Sequence, residues 1–397
     1  MCLSLKDKMA LQSSKIFFMM RKVFVIWMMM MAMLSCLGDS KCEFEAIFNF
    51  GDSNTETGGF WAAFPPPLLP FGMTYFKRPS GRASDGRNII DFLAQALGFP
   101  YLDPYLQSIG SDFRHGANYA TAASTVLLPQ TSLFVGGLSP FSLAIQLNQM
   151  KNFKTRVEEF NDSVIKTGTN LPSPDVFGKS IYNFFIGQND FTSQLADIGI
   201  DGVKKFLPDV INTIAWTIKE IYAFGGRTFF VLNLAPIGCY PSFLVKLPHN
   251  STDVDMYGCL LSYNNAVVDY NNMLKETLDQ MRKDLPQANL IHVDHHAILL
   301  DLFRHPTAYG LTYGPKACCG LGGGAYNFNA DVFCGNNKVI DGKNVTATAC
   351  SDPFNYVSWD GIHATEAANL IMTKAILNGS YFDPPFPINE LCDLHPI

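Results

Sequence analysis

The sequence predicts an α/β protein built on a parallel sheet with helices on both faces, and two observations carry that prediction. Short apolar runs bounded by turn residues alternate along the chain with longer segments whose apolar residues recur at helical spacing. The composition is that of a folded globular chain: of 397 residues, 48% are hydrophobic and 16% charged, with 32 Phe and 15 Tyr, which excludes a disordered protein.

The elements follow in order. An apolar strand at 44–50 breaks at Gly51-Asp52-Ser53, and a loop rich in Pro, Gly and aromatic residues runs through 65–87. Residues 88–97 read as a helix closed by Gly98, and Leu143, Leu147, Met150, Phe153, Val157 and Phe160 mark another. A second strand, 180–186, ends in Gly187-Gln188-Asn189-Asp190. A helix at 203–224 stops at Gly225-Gly226 and is followed by a strand at 228–232. A long helix at 260–285 is stopped by Pro286; a fourth strand, 290–293, and a final helix, 364–377, complete the pattern. No repeat or linker divides residues 41–397, so one domain is expected there.

Residues 1–40 follow a different logic. Lys15, Arg21 and Lys22 precede an apolar run over 23–34, and small residues follow at Ser35, Cys36, Gly38 and Ser40. This is the pattern of a secretory signal peptide cut between 35 and 40, and the run is shorter than the roughly 20 residues of a spanning helix. Secretion predicts N-glycosylation of the sequons at Asn161, Asn250, Asn344 and Asn378. It also predicts disulfides among Cys42, Cys239, Cys259, Cys318, Cys319, Cys334, Cys350 and Cys392, whose pairing the sequence does not choose. Four of these cysteines share a Gly-rich stretch that reads as a stapled loop. The formal charge is −6 for the chain and about −9 without residues 1–40, with no basic block, which argues against nucleic acid and anionic membrane partners. No second apolar stretch is long enough to span a bilayer, so stable membrane insertion is not expected.

Gly51-Asp52-Ser53 at a strand end presents a hydroxyl at the sheet edge where open α/β sheets hold their ligands. Asp360-Gly361-Ile362-His363 supplies a base and an orienting acid, because residues three apart in a tight turn can set a carboxylate beside the ring nitrogen that faces away from the serine. Ser53, Asn189-Asp190 and Asp360/His363 are expected to gather at one edge. Asp52 and Asp190 read as turn formers, and Gly58 and Gly59 as a chain passing close to the site. No Gly-x-Ser-x-Gly occurs, which argues against the α/β-hydrolase elbow. Gly320 to Gly324 has no strand-like run before it and is set aside as a nucleotide loop. His292, His295 and His296 around Asp294 lack the spacing of a metal site, so neither metal nor cofactor is expected. A glycosidase would need two carboxylates across a cleft, and no pair announces itself.

The blocks Phe50-Gly51-Asp52-Ser53-Asn54, Gly116 to Thr121, Gly187-Gln188-Asn189-Asp190 and Trp359 to Thr365 resemble the plant GDSL esterases/lipases, a branch of the SGNH hydrolases, over nearly all of 44–385. The resemblance implies a flavodoxin-like three-layer α/β/α domain with a mainly parallel sheet. It also implies hydrolysis of carboxylic esters by Ser53 as nucleophile, His363 as proton carrier and Asp360 as its orienting acid. The oxyanion hole implied is the Ser53 N–H, the N–H at 123 and the Asn189 side chain. Where the family has glycine this chain has Ala123, which is strained if the position requires positive φ. The expectation is a secreted, glycosylated serine esterase acting on an acylated metabolite, lipid or wall polysaccharide. Its rivals are a non-catalytic carbohydrate-binding wall or defence protein on the same fold and a glycosidase. Phe60, Trp61, Phe64, Phe71, Tyr75 and Phe76 read as an apolar lip over the site.

Overall fold

Four apolar runs, Ala46–Gly51 (β1), Ser180–Phe185 (β3), Thr228–Leu232 (β4) and Asn289–Val293 (β5), form the centre of a sheet in the computed structural model of the chain. All but Asn289 are buried, as strands covered on both faces must be. The structure describes residues 20–22, 41–129, 138–162 and 170–397. The predicted leader lies almost wholly outside them. Met1–Lys41 is a unit apart from Cys42–Ile397, and the fold is that of the second unit.

Gly116–Asn118 (β2) and Phe382–Asp383 (β10) complete a six-stranded sheet of order β2-β1-β3-β4-β5-β10, parallel except for β10. The order 2-1-3-4-5 is the flavodoxin-like one, with its switch point between β1 and β3. Helices Ile89–Ala96 (α1), Leu143–Asp162 (α2), Gln188–Thr192 (α3), Leu207–Ala223 (α4), Leu261–Asp284 (α5), His295–Arg304 (α6) and Glu366–Leu377 (α7) fill the crossovers. One series packs α2 on α4 and α4 on α5; the other packs α1 on α7 and α7 on α6. The expected helix at 203–224 is two helices, because Pro208 has no N–H to continue a ladder and sits instead in the first turn of α4.

Outside the main sheet, Tyr313–Ala317 (β6) pairs in parallel with Tyr356–Ser358 (β9), and Asn337–Ile340 (β7) makes a hairpin with Lys343–Thr346 (β8). The stapled loop is real: Cys318 bonds to Cys350 and Cys319 to Cys334, while Cys42–Cys392 and Cys239–Cys259 join other segments. A strand, β6, does precede Gly320 to Gly324, contrary to the sequence reading. The loop leads into the β7–β8 hairpin, with no helix to receive a phosphate.

The sheet's rungs alternate in character, as successive residues must face opposite sides. Phe48, Tyr182 and Phe229 stack across β1, β3 and β4 at 5.5 and 5.4 Å. One residue further on, the rung is polar. Asn183 Nδ2 donates to Asn49 Oδ1 (2.7 Å), and Asn49 Nδ2 donates to Asn118 Oδ1 (2.8 Å). Asn118 Nδ2 in turn donates to the Thr55 carbonyl (2.7 Å) and to Thr57 Oγ1 (3.0 Å). All three asparagines are buried. Replacing Asn118 with Ala leaves the Asn49 amide short of an acceptor in the core. The expected cost is about 2–3 kcal/mol of stability, read as a lower urea midpoint; an unchanged midpoint would show that the rung holds nothing in place.

Candidate active site

The residues singled out in the sequence meet at the carboxyl ends of β1 and β3. The nucleophile candidate sits on a turn built by its neighbours. Asp52 Oδ1 accepts from the N–H (2.9 Å) and side chain (2.8 Å) of Asn54. Upstream, the Gln146 side chain of α2 pairs with both backbone groups of Gly51: Oε1 accepts from its N–H at 3.0 Å and Nε2 donates to its carbonyl at 2.9 Å. A Cβ at position 51 would lie 2.3 Å from Thr55 Oγ1 and 2.9 Å from the Phe185 carbonyl, so the tight exit from the strand requires glycine. Gly58 has φ 128, and a Cβ on Gly59 would approach the Ala120 carbonyl at 3.0 Å. The chain does pass close to its neighbours here.

Asp360 and His363 come from the loop after β9, which the second core fixes. Trp359 is fully buried against Phe71 and the cysteines of the stapled loop. Its carbonyl accepts from Cys319 N at 2.6 Å, and its N–H donates to the His363 carbonyl at 2.7 Å. On the other side, Ser84 Oγ donates to the Ala364 carbonyl (3.0 Å) and Arg87 pairs with Glu366 at 2.6 Å. Thr365 caps α7, accepting from Ala368 N at 3.2 Å.

Within this frame Asp360 Oδ1 accepts from the N–H groups of Ile362 (3.0 Å) and His363 (2.8 Å), while Oδ2 faces His363 Nδ1 at 2.7 Å. A ring nitrogen facing a carboxylate carries the proton. That leaves Nε2, 2.8 Å from Ser53 Oγ, to accept from the serine hydroxyl. Burial opposes the imidazolium, but the charge and hydrogen bond of Asp360 outweigh it and hold the His363 pKa above its ordinary value. Burial also pushes Asp360 up; the charge of His363 and the hydrogen bonds it receives outweigh this and bring its pKa below the usual carboxylate range.

Asn189 and Ala123 join the same cluster. Asn189 Nδ2 donates to the Ser124 carbonyl at 2.9 Å and to Asp52 Oδ2 at 3.3 Å. Ala123 has φ 58, the left-handed region, and its carbonyl accepts from Ser139 N at 3.0 Å. The condition under which alanine would be strained is therefore met. Among the described residues no group accepts from the Ser53 or Ala123 N–H.

Two acids differ from their sequence reading. Asp52 forms its turn as expected and in addition accepts from Asn189 within the site; burial pushes its pKa up to about 6. Asp190 is more than a local turn former. Its two carboxylate oxygens accept from Val126 N (2.7 Å) and Leu127 N (3.0 Å), anchoring the loop that carries Ala123 to the helix that carries Asn189. Burial pushes Asp190 up to about 7. Gln146 and Asp190 escaped the sequence reading as positioning residues because each acts on backbone groups remote in sequence. His292, His295 and His296 are buried, with pKa values lowered by that burial, and among the described residues no group of His, Cys, Asp and Glu could hold a metal. The expected lip divides: Phe71 packs on Trp359, Tyr75 lies under Arg87 and Phe76 under Arg82.

Residues 47–376 match the family described as GDSL-like lipase/acylhydrolase. A GDSL esterase/lipase of Arabidopsis thaliana is 66% identical over 356 residues, which cover 89% of this chain and 93% of that protein. An esterase of Hevea brasiliensis is 42% identical over 353 residues, 88% of this chain and 90% of its own. A protein of Arabidopsis thaliana named alpha-L-fucosidase 3 is 39% identical over 355 residues, 88% of this chain and 95% of its own. The chain thus belongs to the GDSL-like lipase/acylhydrolase family and is a carboxylic ester hydrolase.

Proposed function

We propose that this protein is a secreted, N-glycosylated serine esterase that cleaves esters of an acylated metabolite, lipid or wall polysaccharide through Ser53, His363 and Asp360. The observation that carries the mechanism is the continuous line from Ser53 Oγ through the His363 ring to Asp360 Oδ2. His363 Nε2 takes the hydroxyl proton as Ser53 Oγ attacks the ester carbonyl carbon. The tetrahedral intermediate collapses, the C–O bond to the alcohol breaks, and His363 returns the proton to the departing oxygen. Water then repeats the sequence on the acyl-enzyme and releases the acid. Asp360 keeps the ring in the productive tautomer and stabilises the imidazolium. The oxyanion is received by the Ser53 and Ala123 N–H groups, and by Asn189 Nδ2 once it turns from Ser124 or Asp52.

Secretion is supported by the leader-like residues 1–40 and by the disulfides of the described residues. Asn161, Asn250, Asn344 and Asn378 are all exposed, as acceptors must be. The relative named as a fucosidase keeps glycoside hydrolysis as the rival. That chemistry needs two carboxyl groups free to flank a glycosidic bond. Here Asp360 is bound to His363, and Asp52 to Asn54 and Asn189. No nucleic acid partner, cofactor or metal enters the reading.

Three outcomes test it. Ser53→Ala should lower p-nitrophenyl acetate turnover by about 10³-fold or more and abolish fluorophosphonate labelling; equal background in both proteins would sink the proposal. The base must be neutral, and the His363 pKa is raised above 6.5, so kcat/KM should fall as pH drops through a value above 6.5. Asp360→Asn should move that limb to lower pH, and Asp52→Asn should move it in the same direction by less, since Asp52 contributes only charge to the imidazolium. At position 123 a β-branched side chain suits the left-handed region worse than alanine. Ala123→Val should therefore cost about 1–2 kcal/mol in stability or in kcat, and an unaffected variant would remove this N–H from the hole.

A further inference from the structure

A cavity of about 790 Å³ opens beside the nucleophile segment, with Thr57 and Gly58, on the chain leaving Ser53, forming one wall. This lies within the size range of small-molecule sites. Gly58 and Gly81 meet there so closely that a Cβ on Gly81 would come within 2.4 Å of the Gly58 Cα, which welds the segment 78–82 to the nucleophile loop. The cavity is thus held against the reacting segment by this backbone contact and by Arg82, which donates to the Thr57 carbonyl at 3.1 Å.

Its lining is of two kinds. Trp61, Phe76 and Tyr101 contribute aromatic surface. Phe76 and Tyr101 brace each other edge to face, with centroids 6.2 Å apart, and Trp61 is set against Phe60 at 4.8 Å. Between and around the rings lie polar groups that the fold leaves unused. Trp61 Nε1 and Ser80 Oγ are buried with no hydrogen-bond partner among the described residues. Buried donors are ordinarily satisfied, so two unmatched ones on residues that line one cavity suit a ligand that can accept and donate. Arg78 forms no ion pair among the described residues, and the Gln107 side chain is exposed at the same cavity. Arg82 is already bound to Asp91 and to the Thr57 and Ser80 carbonyls, so it serves as wall rather than ligand group.

An alkyl chain would fill the volume and leave the indole N–H and the serine hydroxyl unmatched. An aromatic or extended apolar acyl group has the same defect. A sugar ring has an apolar C–H face for the aromatic walls and hydroxyls, each both donor and acceptor, for the groups between them. We propose that this cavity is a saccharide-binding subsite, seating a sugar ring of the alcohol portion of the substrate; the assignment to substrate rests on the esterase reading above, the binding of sugar does not. This narrows the ester class to acylated carbohydrates or glycosides.

The test separates the two claims. The Ser53→Ala protein, which needs no turnover, is titrated with cellotetraose and with laurate while tryptophan fluorescence is followed. Saturable change with the tetrasaccharide is expected, its affinity weakened at least tenfold by Trp61→Ala and measurably by Gln107→Ala, an exposed site whose substitution leaves the core intact. Trp216→Ala, on the exposed face of α4, should not alter it. Saturation by laurate but not by the tetrasaccharide, or binding indifferent to both Trp61 and Gln107, overturns the proposal. With Ser53 intact, Trp61→Ala should reduce kcat/KM for acetylated cellotetraose at least tenfold more than for p-nitrophenyl acetate. Equal losses on both esters would remove the sugar from the substrate even if it binds.

Discussion

The buried asparagine rung is the constraint on which the rest of the site depends. Ser53, the proposed nucleophile, stands just beyond a strand that is itself sealed within the core. The turn beyond it therefore has carbonyls with no access to water. Asn118 and Asn49 both reach the Thr55 carbonyl, at 2.7 and 3.3 Å, and Asn183 holds Asn49 from the opposite side. The rung thus does two things at once. It satisfies the turn's backbone, and it locks the relative height of β2, β1 and β3, whose ends supply Ser53, the Ala123 loop and Asn189. Apolar residues in the same places would pack well enough but would leave the turn's carbonyl stranded.

Around this rung the protein accumulates buried acids, and their cost is met in different ways. Asp360 faces a group that becomes cationic and receives two backbone N–H bonds, which keeps it ionised. In Asp52, Asp190 and Glu56 burial outweighs the hydrogen bonds and charges that oppose it, and their pKa values are pushed up to about 6, 7 and 8. Each nonetheless grips backbone N–H groups of a loop near the site: Asp52 that of Asn54, Asp190 those of Val126 and Leu127, Glu56 that of Phe60. Carboxylates serve here as clamps for irregular backbone, a task for which an apolar residue has no equivalent.

Much of this was legible in the sequence, and what was not has a physical reason. Strands β1, β3, β4 and β5 were visible because each is an apolar run broken by turn residues. Gly98 and Pro286 marked helix ends through a left-handed stop and a missing donor. Ser53, Asp360 and His363 could be paired because the local spacing of the last two carries their geometry. The short edge strands β2 and β10 were not visible, since three and two residues have no periodicity. Nor were the roles of Gln146 and Asp190, which bind backbone groups far along the chain: nothing in a side chain's identity states which remote N–H it will meet.

The order in which the chain is made gives the geometry a temporal meaning. Ser53 and His363 are 310 residues apart, and the bond from Cys42 to Cys392 spans 350. A ribosome adding roughly 5–20 residues per second exposes the serine for on the order of 15–60 s before His363, its proposed base, exists. On the proposed mechanism the hydroxyl stays inert throughout that interval, because His363 is not yet there to take its proton. Under that mechanism a nascent chain that still lacks His363 neither acylates itself nor attacks esters. Reactivity would then arrive with His363, shortly before Cys392, the disulfide partner of Cys42, becomes available.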